Sequence, residues 1–230
     1  MKTKKIILLR HGQSLWNLEN RFTGWTDVDL TDKGRSEAWS AGEKIAGAKL
    51  YPEYYFTSFQ KRAINTLHMA AEAMDREWIK ETKDWRLNER HYGALQGLNK
   101  DETVAKYGAE QVKIWRRSYD VRPPQLSLDD PRYPGNFERY RKLPENQLPT
   151  GESLKDTIAR VKPCFDEIIL PAVMSSETVL IVAHGNSLRG LAMMLLNLTP
   201  DEIVEFEIPT GVPLVFETDE KLNVLKKYYL

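Results

Sequence analysis

The sequence predicts an α/β fold, a three-layer sandwich in which helices flank a mostly parallel central sheet. Three short runs of apolar, aromatic and β-branched residues, at 6–9, 54–57 and 179–183, have the length and composition of buried strands. A helical pattern follows each run. Strands that alternate with helices along the chain are typical of a largely parallel sheet covered by helices.

The helices are predicted from capping residues and from the spacing of apolar side chains. Thr31 is a favourable N-cap for a helix that continues to about Ala46. Ser58 is expected to cap the next helix. In that helix, apolar residues recur at helical spacing at Ile64, Leu67, Ala71 and Met74. A third helix is expected over 187–196, after the third strand.

The end of the chain is expected to form a hairpin. Two candidate strands, 212–216 and 223–229, lie on either side of Asp219 and Glu220. Acidic residues of this kind suit a turn between two strands. The predicted sheet therefore ends in a pair of strands joined by a tight turn.

Residues 118–150 interrupt the alternation of strands and helices. They contain six of the twelve prolines, a density that excludes long regular elements. Long irregular segments in compact domains are usually lids or linkers. The segment also contains four aromatic residues, Tyr119, Tyr133, Phe137 and Tyr140. Their presence favours a packed lid over a disordered tether. We therefore expect a single domain over 1–230 that carries a proline-rich, lid-like insertion.

Size and charge restrict the classes of protein that this chain can represent. It has 230 residues, of which 41% are hydrophobic and 29% charged, as expected for a globular protein with a well-developed core. Its 33 basic and 33 acidic side chains give a formal net charge of zero. Binding to nucleic acid or to a membrane through bulk positive charge is therefore not expected. Any anion site must come from local clusters of arginine and lysine.

Cysteine content and the N-terminal residues favour a cytoplasmic protein. Cys164 is the single cysteine, so no intrachain disulfide can form, and we expect it to be a buried structural thiol. The apolar run at 6–9 is too short for the core of a signal peptide, and no stretch is long enough to span a bilayer.

Two turns of the sequence share one pattern around a histidine. The first strand is followed by His11-Gly12-Gln13 and the third by His184-Gly185-Asn186, and Ser and Leu come next in both cases. Each histidine lies where a strand turns into a helix. Ligands of parallel sheets bind at these strand ends, where helix N-termini favour phosphate. We expect the two glycines to allow a tight turn and close approach of the backbone to a ligand.

A neutral imidazole at such a turn suits phosphoryl transfer. It can attack phosphorus to form a phosphohistidine, while a second histidine and arginines stabilise the phosphoryl oxygens. A single His-Gly turn would favour a plain structural role, and the second equivalent turn reverses that preference. The sequence has no Walker-type loop, HExxH pair or EF-hand spacing, and we interpret Asp27 and Asp29 as turn residues. The positive charge on a bound phosphate is therefore expected from side chains, without a metal ion.

Longer motifs make the chain resemble a known family. Residues 10–17 read Arg-His-Gly-Gln-Ser-Leu-Trp-Asn, and residues 21–25 read Arg-Phe-Thr-Gly-Trp. Residues 87–100 read Leu-Asn-Glu-Arg-His-Tyr-Gly-Ala-Leu-Gln-Gly-Leu-Asn-Lys, and residues 115–117 read Trp-Arg-Arg. The Arg-His-Gly triplet resembles the signature of the histidine phosphatase superfamily. The longer blocks resemble its cofactor-dependent phosphoglycerate mutases, and the resemblance covers essentially the whole chain.

The resemblance implies roles for the matching residues. His11 would be the phosphorylated nucleophile, Glu89 the general acid and base, and His184 a stabiliser of the transferring phosphoryl group. Arg10 and Arg62 would hold that group. The second phosphate or the carboxylate of a glycerate would be bound by Lys100, Arg116 and Arg117. The pocket would be completed by Asn17, Thr23, Gly24, Tyr92, Gly185 and Asn186.

The implied reaction is the interconversion of 3-phosphoglycerate and 2-phosphoglycerate in glycolysis and gluconeogenesis. It would proceed through a phosphohistidine primed by 2,3-bisphosphoglycerate, in a homodimer or larger homo-oligomer. Two alternatives stay open. One is a phosphohydrolase of the same fold, with water as the final acceptor, and the other is a non-catalytic protein that binds phosphometabolites.

The chain also departs from the family pattern. Gln13 stands where many relatives carry glutamate. The glutamine amide can still form hydrogen bonds, but it lacks the negative charge that glutamate would place near His11. Many relatives continue past the last strand with a mobile tail, whereas this sequence ends at Leu230, so closure of the site would depend on other loops. The remaining histidines, His68 and His91, are expected to be structural.

Overall fold

The computed structural model describes residues 3–230, and the six strands in this part of the chain form a single sheet. The strands are β1 (Lys4–Arg10), β2 (Tyr54–Thr57), β3 (Glu81–Lys83), β4 (Thr178–Ala183), β5 (Leu214–Thr218) and β6 (Val224–Tyr229). Their order across the sheet is β3-β2-β4-β1-β5-β6. Strands β1 to β4 run parallel, whereas β5 pairs antiparallel with both β1 and β6. The sheet is therefore mostly parallel, as the sequence predicts.

Helices connect the parallel strands and cover the sheet. They are α1 (Leu15–Leu18), α2 (Asp32–Gly47), α3 (Lys61–Ala73), α4 (Lys100–Tyr107), α5 (Ala109–Arg117), α6 (Leu154–Cys164), α7 (Leu170–Ser175), α8 (Gly185–Leu196) and α9 (Pro200–Glu205). A π-helical turn at Phe165–Ile169 joins α6 to α7, where Pro171 lacks the N–H of a regular helical ladder. Over residues 3–230, every helix is too short or too polar to span a bilayer.

The central strand β1 separates two hydrophobic cores. Ile6 and Leu8 face the core formed with α6, α7 and α8, whereas Ile7 and Leu9 face the core formed with α2 and α3. All four side chains are fully buried, and each contributes about 1.5–3 kcal/mol to stability. Cys164 lies in the first core, where burial raises the pKa of its thiol to about 12. A core on each face of the sheet confirms the predicted three-layer architecture. The position of Cys164 within one of these cores confirms that it is a buried structural thiol.

Most of the predicted elements lie within a few residues of their expected positions. Thr31 caps α2, since its hydroxyl oxygen accepts a hydrogen bond from Gly34 N at 3.0 Å. The helix after β4 begins at Gly185, close to the expected start. Strands β5 and β6 form the predicted closing hairpin. Local sequence signals therefore determined these elements well.

The prediction that Ser58 caps the helix after β2 is wrong. Helix α3 begins at Lys61, and its N-cap residue, Gln60, makes no side-chain capping bond. The Ser58 hydroxyl instead lies 2.8 Å from His184 Nε2. The Ser58 side chain therefore contacts a residue 126 positions away in the sequence and does not cap the helix that follows it.

The proline-rich segment 118–150 contains only short 3₁₀ turns, at Pro134–Asn136, Glu138–Tyr140 and Glu145–Gln147. Tyr140 is buried against Trp25, with ring centroids 4.8 Å apart, and its hydroxyl oxygen accepts a hydrogen bond from Asn88 Nδ2 at 2.9 Å. The segment is thus packed on the domain, as its aromatic residues predict.

Candidate active site

The two histidine turns lie side by side at the carboxyl ends of neighbouring strands. His11 follows β1 and His184 follows β4, and the parallel register places Arg10 opposite Ala183. The two imidazole rings have centroids 5.0 Å apart. The shared sequence pattern therefore folds into two turns that meet where parallel sheets bind ligands.

His11 is a buried, neutral imidazole. Its Nδ1 lies 2.8 Å from the Gly12 carbonyl oxygen, which can only accept, so Nδ1 carries the ring hydrogen and Nε2 has a lone pair. Burial, followed by the positive charges of Arg62 and Arg10, lowers the pKa of His11 well below 6.5. A neutral imidazole with a lone pair on Nε2 is a competent nucleophile toward phosphorus.

His184 is oriented as a hydrogen-bond donor beside His11. Its Nε2 contacts the Ser58 hydroxyl, whose oxygen also accepts a hydrogen bond from Gln60 N. When the Ser58 hydroxyl donates its hydrogen to Nε2, the ring hydrogen of His184 lies on Nδ1. Burial, followed by Arg62 and His11, lowers the pKa of His184 well below 6.5. Nδ1 is buried without a partner among residues 3–230, so it can donate to a phosphoryl oxygen.

Two arginines add further buried donors around His11. Arg10 donates from Nη1 to the Ile208 carbonyl at 3.1 Å. Arg62 donates from Nη1 and Nη2 to the carbonyls of Thr26 and Gly24. Within the described part of the chain, Nε of both arginines is buried without an acceptor, an arrangement that is unfavourable unless a ligand supplies one. Burial lowers the pKa of Arg62 to about 10, so the guanidinium remains cationic at neutral pH.

Two glycines allow the loops around His11 to pack closely. A Cβ on Gly12 would lie 2.1 Å from the Gly34 carbonyl oxygen at the start of α2. Gly24 has φ of +54°, and a Cβ there would lie 2.1 Å from Gln96 Oε1. Contact of backbone with backbone therefore requires glycine at position 12, and close approach of this turn to a ligand stays a prediction.

Glu89 has one carboxylate oxygen engaged and the other directed into the pocket. Its Oε1 accepts hydrogen bonds from Arg90 N (2.7 Å), Asn186 N (3.1 Å) and Asn186 Nδ2 (2.9 Å). Its Oε2 lies 3.7 Å from the position that a Cβ on Gly185 would take. Trp25 Nε1 donates to the Glu89 carbonyl at 2.6 Å and fixes the backbone. Glu89 can therefore exchange a proton through Oε2 without losing its anchoring bonds.

A second set of cations comes from α4 and α5. Lys100 is the first residue of α4, and Arg116 and Arg117 are the last two of α5. Burial lowers the pKa of Lys100, and the charge of Arg116 lowers it further. Tyr92 lies beneath the Arg90 guanidinium, whose Cζ is 4.6 Å from the ring centroid. Burial raises the pKa of the Tyr92 phenol. The charge of Arg90 and the hydrogen bonds from Arg90 and Asn186 outweigh this effect, so that the pKa is lowered overall. These groups place a second cluster of cationic side chains in the pocket.

All predicted site residues except His184 line one pocket. These lining residues are Arg10, His11, Asn17, Thr23, Gly24, Arg62, Glu89, Tyr92, Lys100, Arg116, Arg117, Gly185 and Asn186. His184 lies behind them and reaches the site through its contact with His11. The lining also includes residues that sequence reasoning did not assign to it, namely Arg21, Phe22, Arg189, Phe206, Glu207 and Ile208.

Of the unassigned residues, Arg189 carried a signal that could have been used. It is a charged side chain within an otherwise apolar helix and is only 6% exposed. Arg21 and Phe22 lie within a motif that supports the resemblance. The segment 206–208 has no local signal. No residue of 118–150 is among those that line the pocket in the described chain, so a lid role for that segment stays a prediction.

Two acidic residues with metal-like spacing have protein partners. Asp27 accepts a hydrogen bond from Lys61 N at 2.7 Å and pairs with Arg139 at 2.5 Å. Asp29 pairs with Arg35 at 3.0 Å. These contacts support the interpretation of both as structural turn residues.

The remaining histidines and Gln13 lie outside the pocket. The side chain of His68 is 55% exposed, and buried His91 accepts a hydrogen bond from Gly93 N through Nδ1 at 3.0 Å. Gln13 Oε1 accepts a hydrogen bond from the Thr31 hydroxyl at 3.0 Å. Its amide therefore serves the start of α2 and does not reach the ligand site.

Comparison with known proteins identifies the family. The sequence matches the histidine phosphatase superfamily (branch 1) over residues 6–131 and 127–230. It is 55% identical over 227 residues to the 2,3-bisphosphoglycerate-dependent phosphoglycerate mutases of two strains of Bacteroides fragilis, covering 99% of this chain and 92% of each relative. The chain belongs to the histidine phosphatase superfamily and, within it, to this mutase family.

Solved structures with the histidine phosphatase fold include phosphatases. The mycobacterial glucosyl-3-phosphoglycerate phosphatase superposes with a TM-score of 0.71 at 22% identity, covering 99% of this chain and 97% of that one. The α-ribazole phosphatase of Shigella flexneri superposes with a TM-score of 0.68 at 17% identity, covering 94% and 92%. At these identities the similarity is one of fold, and it confirms the predicted α/β architecture.

The buried histidines are expected to make stability fall steeply as the pH drops below about 6.5. Burial lowers the pKa of His91 to about 3, and His11 and His184 are also held well below their ordinary value. Below the unfolded pKa, the unfolded chain binds protons that the folded chain does not, so stability rises with pH. Each such histidine adds up to about 1.4 kcal/mol per pH unit to the slope of the free energy of unfolding against pH.

Urea unfolding between pH 7 and pH 5 measures this slope. The His91→Asn variant keeps an acceptor for Gly93 N and is expected to have a shallower slope than the wild type by up to about 1.4 kcal/mol per pH unit. The matched control is His68→Asn at the exposed histidine, which is expected to keep the steep slope. Equal slopes for His91→Asn and the wild type would contradict the expectation.

Proposed function

We propose that this protein interconverts 3-phosphoglycerate and 2-phosphoglycerate through a phosphohistidine at His11. The supporting observation is a cluster of buried nitrogen atoms around the His11 ring that have no partner among residues 3–230: Arg10 Nε, Arg62 Nε and His184 Nδ1. Three such atoms beside a neutral nucleophile form a site for a phosphoryl group. The similarity to curated mutases adds the substrate class.

The composition of the pocket supports a substrate with two anionic groups. Within the described chain, seven basic side chains line it and only two acidic ones, Glu89 and Glu207. Arg10 and Arg62 lie near the nucleophile, whereas Lys100, Arg116 and Arg117 come from α4 and α5. A phosphomonoesterase needs only the first set. The second set fits the carboxylate or second phosphate of a phosphoglycerate.

The proposed chemistry uses the protein groups in fixed roles. His11 Nε2 attacks phosphorus while Glu89 Oε2 gives a proton to the departing alkoxide. In the return step, Glu89 accepts the proton of the substrate hydroxyl as that oxygen takes the phosphoryl group from His11. Throughout, His184, Arg10 and Arg62 stabilise the charge on the phosphoryl oxygens.

The priming group is proposed to be 2,3-bisphosphoglycerate. When bound, it supplies the phosphoryl group that His11 carries. The unpartnered donors of Arg10 and Arg62, together with the α4–α5 cations, fit its two phosphates and carboxylate. A reaction without a metal ion, a cytoplasmic location and a homodimer or larger assembly are predictions that accompany this proposal.

The proposal is tested by following 3-phosphoglycerate conversion in excess EDTA, with and without a trace of 2,3-bisphosphoglycerate. Strong stimulation by the trace that EDTA does not reduce is the expected result. Steady release of inorganic phosphate without isomerisation would instead make the protein a phosphohydrolase. Binding of phosphoglycerate without either activity would make it a binding protein.

One ion pair at the pocket is expected to weaken substrate binding. Arg117 Nη2 lies 2.5 Å from Glu207 Oε1, and both residues line the pocket. The Glu207 carboxylate therefore competes with the substrate anion for Arg117. Glu207→Gln is expected to lower KM about 2- to 5-fold with little change in kcat, since an exposed pair contributes at most about 1 kcal/mol.

Steady-state kinetics at low and high salt measure this effect. The decrease in KM is expected to be larger at low ionic strength, where the charges are less screened. The control is Glu205→Gln, an exposed carboxylate on α9 that does not line the pocket. An unchanged KM for Glu207→Gln at low salt would show that the pair does not compete with substrate.

A further inference from the structure

Arg189 is a buried cation that the proposed chemistry does not use directly. It lies on α8, five residues after His184, and lines the pocket although it is only 6% exposed. Its guanidinium donates to the Ile203 carbonyl through Nε (3.2 Å) and Nη2, and to the Val204 carbonyl at 3.3 Å. These contacts fix the guanidinium against α9 and leave Nη1 to reach toward the site.

The Nη1 atom determines the orientation of a neighbouring amide. It lies 3.1 Å from Asn186 Oδ1. An arginine can only donate, so the atom of the amide that faces Arg189 must be the oxygen. The amide nitrogen of Asn186 therefore faces Glu89 Oε1 at 2.9 Å and Tyr92 Oη at 3.4 Å.

The orientation of that amide in turn fixes the Glu89 carboxylate. Oε1 accepts one N–H from Arg90 and two from Asn186. Rotation of the amide would place its oxygen against Oε1, and two acceptors would then face each other. The carboxylate would turn away from this contact, and Oε2 would leave its position beside Gly185.

We propose that Arg189 is a positioning residue that holds Glu89 Oε2 in place for proton transfer by orienting the Asn186 amide. The inference rests on the proposed function in one respect, since it takes Glu89 as the group that exchanges the proton. Charge alone does not account for the role. Arg62 and Arg10 also face Glu89 and remain when Arg189 is replaced.

The leaving group of a phosphoryl donor separates this role from a structural one. Alkoxide departure from 2,3-bisphosphoglycerate requires a proton, whereas nitrophenolate leaves p-nitrophenyl phosphate without one. We expect Arg189→Met to slow phosphorylation of His11 by the alkyl phosphate about 10- to 100-fold, less than the roughly 10²- to 10⁴-fold contribution of general acid catalysis, because Glu89 itself remains. The rate with the nitrophenyl phosphate is expected to change less than about 3-fold. Glu89→Gln is expected to show the same dependence on the leaving group.

Two further variants test the path through Asn186. In an Asn186→Ala background, Arg189→Met is expected to add little further slowing with the alkyl phosphate, because the amide is already absent. Arg189→Lys keeps a donor near Asn186 and is expected to recover part of the rate. Thr199→Ala, which removes the N-cap of α9 without touching Asn186, is expected to leave the ratio of the two rates unchanged.

The outcomes separate the inference from the proposed function. Equal slowing of both donors by Arg189→Met, or fully additive effects with Asn186→Ala, would overturn the inference and assign Arg189 a purely structural role. Failure of the wild type to isomerise 3-phosphoglycerate would overturn the proposed function. The comparison of the two donors would still report whether Arg189 acts through Glu89, since phosphorylation of His11 is measured directly.

Discussion

Replacement of His11 by alanine is expected to abolish isomerisation of phosphoglycerate, by at least about 10⁴-fold, together with acid-labile phosphate on the protein. His184 is expected not to take over as the nucleophile, because with the Ser58 hydroxyl donating to Nε2 the ring hydrogen occupies Nδ1, the nitrogen that faces the site. Incubation with a radiolabelled phosphoryl donor, followed by acid and alkaline treatment, measures the phosphohistidine directly.

The control for this variant is His91→Asn. His91 is as deeply buried as His11 but does not line the pocket, so its replacement tests whether loss of a buried histidine is enough to stop labelling. Labelling is expected to persist in His91→Asn and to be absent in His11→Ala. Acid-labile labelling of the His11→Ala protein would show that the nucleophile lies elsewhere.

The centre of the site could be predicted from sequence because its signals are local. Each histidine follows a short buried strand, and the glycine and capping residues after it specify a turn. The parallel pairing of β1 with β4 then brings the two turns together, with Arg10 opposite Ala183. Sequence alone indicates that the turns are equivalent, and their adjacency follows once the strands are neighbours in the sheet.

The residues that complete the site depend on contacts between distant segments. Local spacing predicts a helix start at Ser58, yet its hydroxyl contacts His184. Gly12 needs a small residue because the start of α2 lies against it, a reason that the sequence does not indicate. Such roles are set by tertiary packing, which a local pattern does not report.

Arg189 illustrates the same limit with a partial signal. A charge on an apolar helix indicates a buried cation, but its partners, the Ile203 and Val204 carbonyls and the Asn186 amide, are visible only in the fold. The segment 206–208 shows no pattern at all and enters the pocket because β5 pairs with β1. Residue type can therefore mark a candidate, and only geometry assigns its function.

Replacement of Glu89 by glutamine is expected to reduce kcat for the mutase reaction about 10²- to 10⁴-fold while His11 can still be phosphorylated by p-nitrophenyl phosphate. Glutamine has nearly the same shape, and its oxygen can still accept the hydrogen bonds from Arg90 N and Asn186 N. The amide cannot accept the proton of the substrate hydroxyl. The loss should therefore fall on steps that move a proton to or from an alkoxide.

The same substitution at Glu207 provides a matched control within the pocket. Glu89 and Glu207 both line it, but only Glu89 lies beside the turn at Gly185 that follows the second histidine. Glu89→Gln should lower kcat, whereas Glu207→Gln should lower KM and leave kcat nearly unchanged. Rapid-quench measurement of phosphoryl transfer from His11 to substrate separates the two effects. An unchanged rate of phosphoryl transfer in Glu89→Gln would show that Glu89 is not the proton acceptor. Equal changes in kcat and KM for the two variants would mean that loss of negative charge in the pocket, and not loss of proton transfer, slows the reaction.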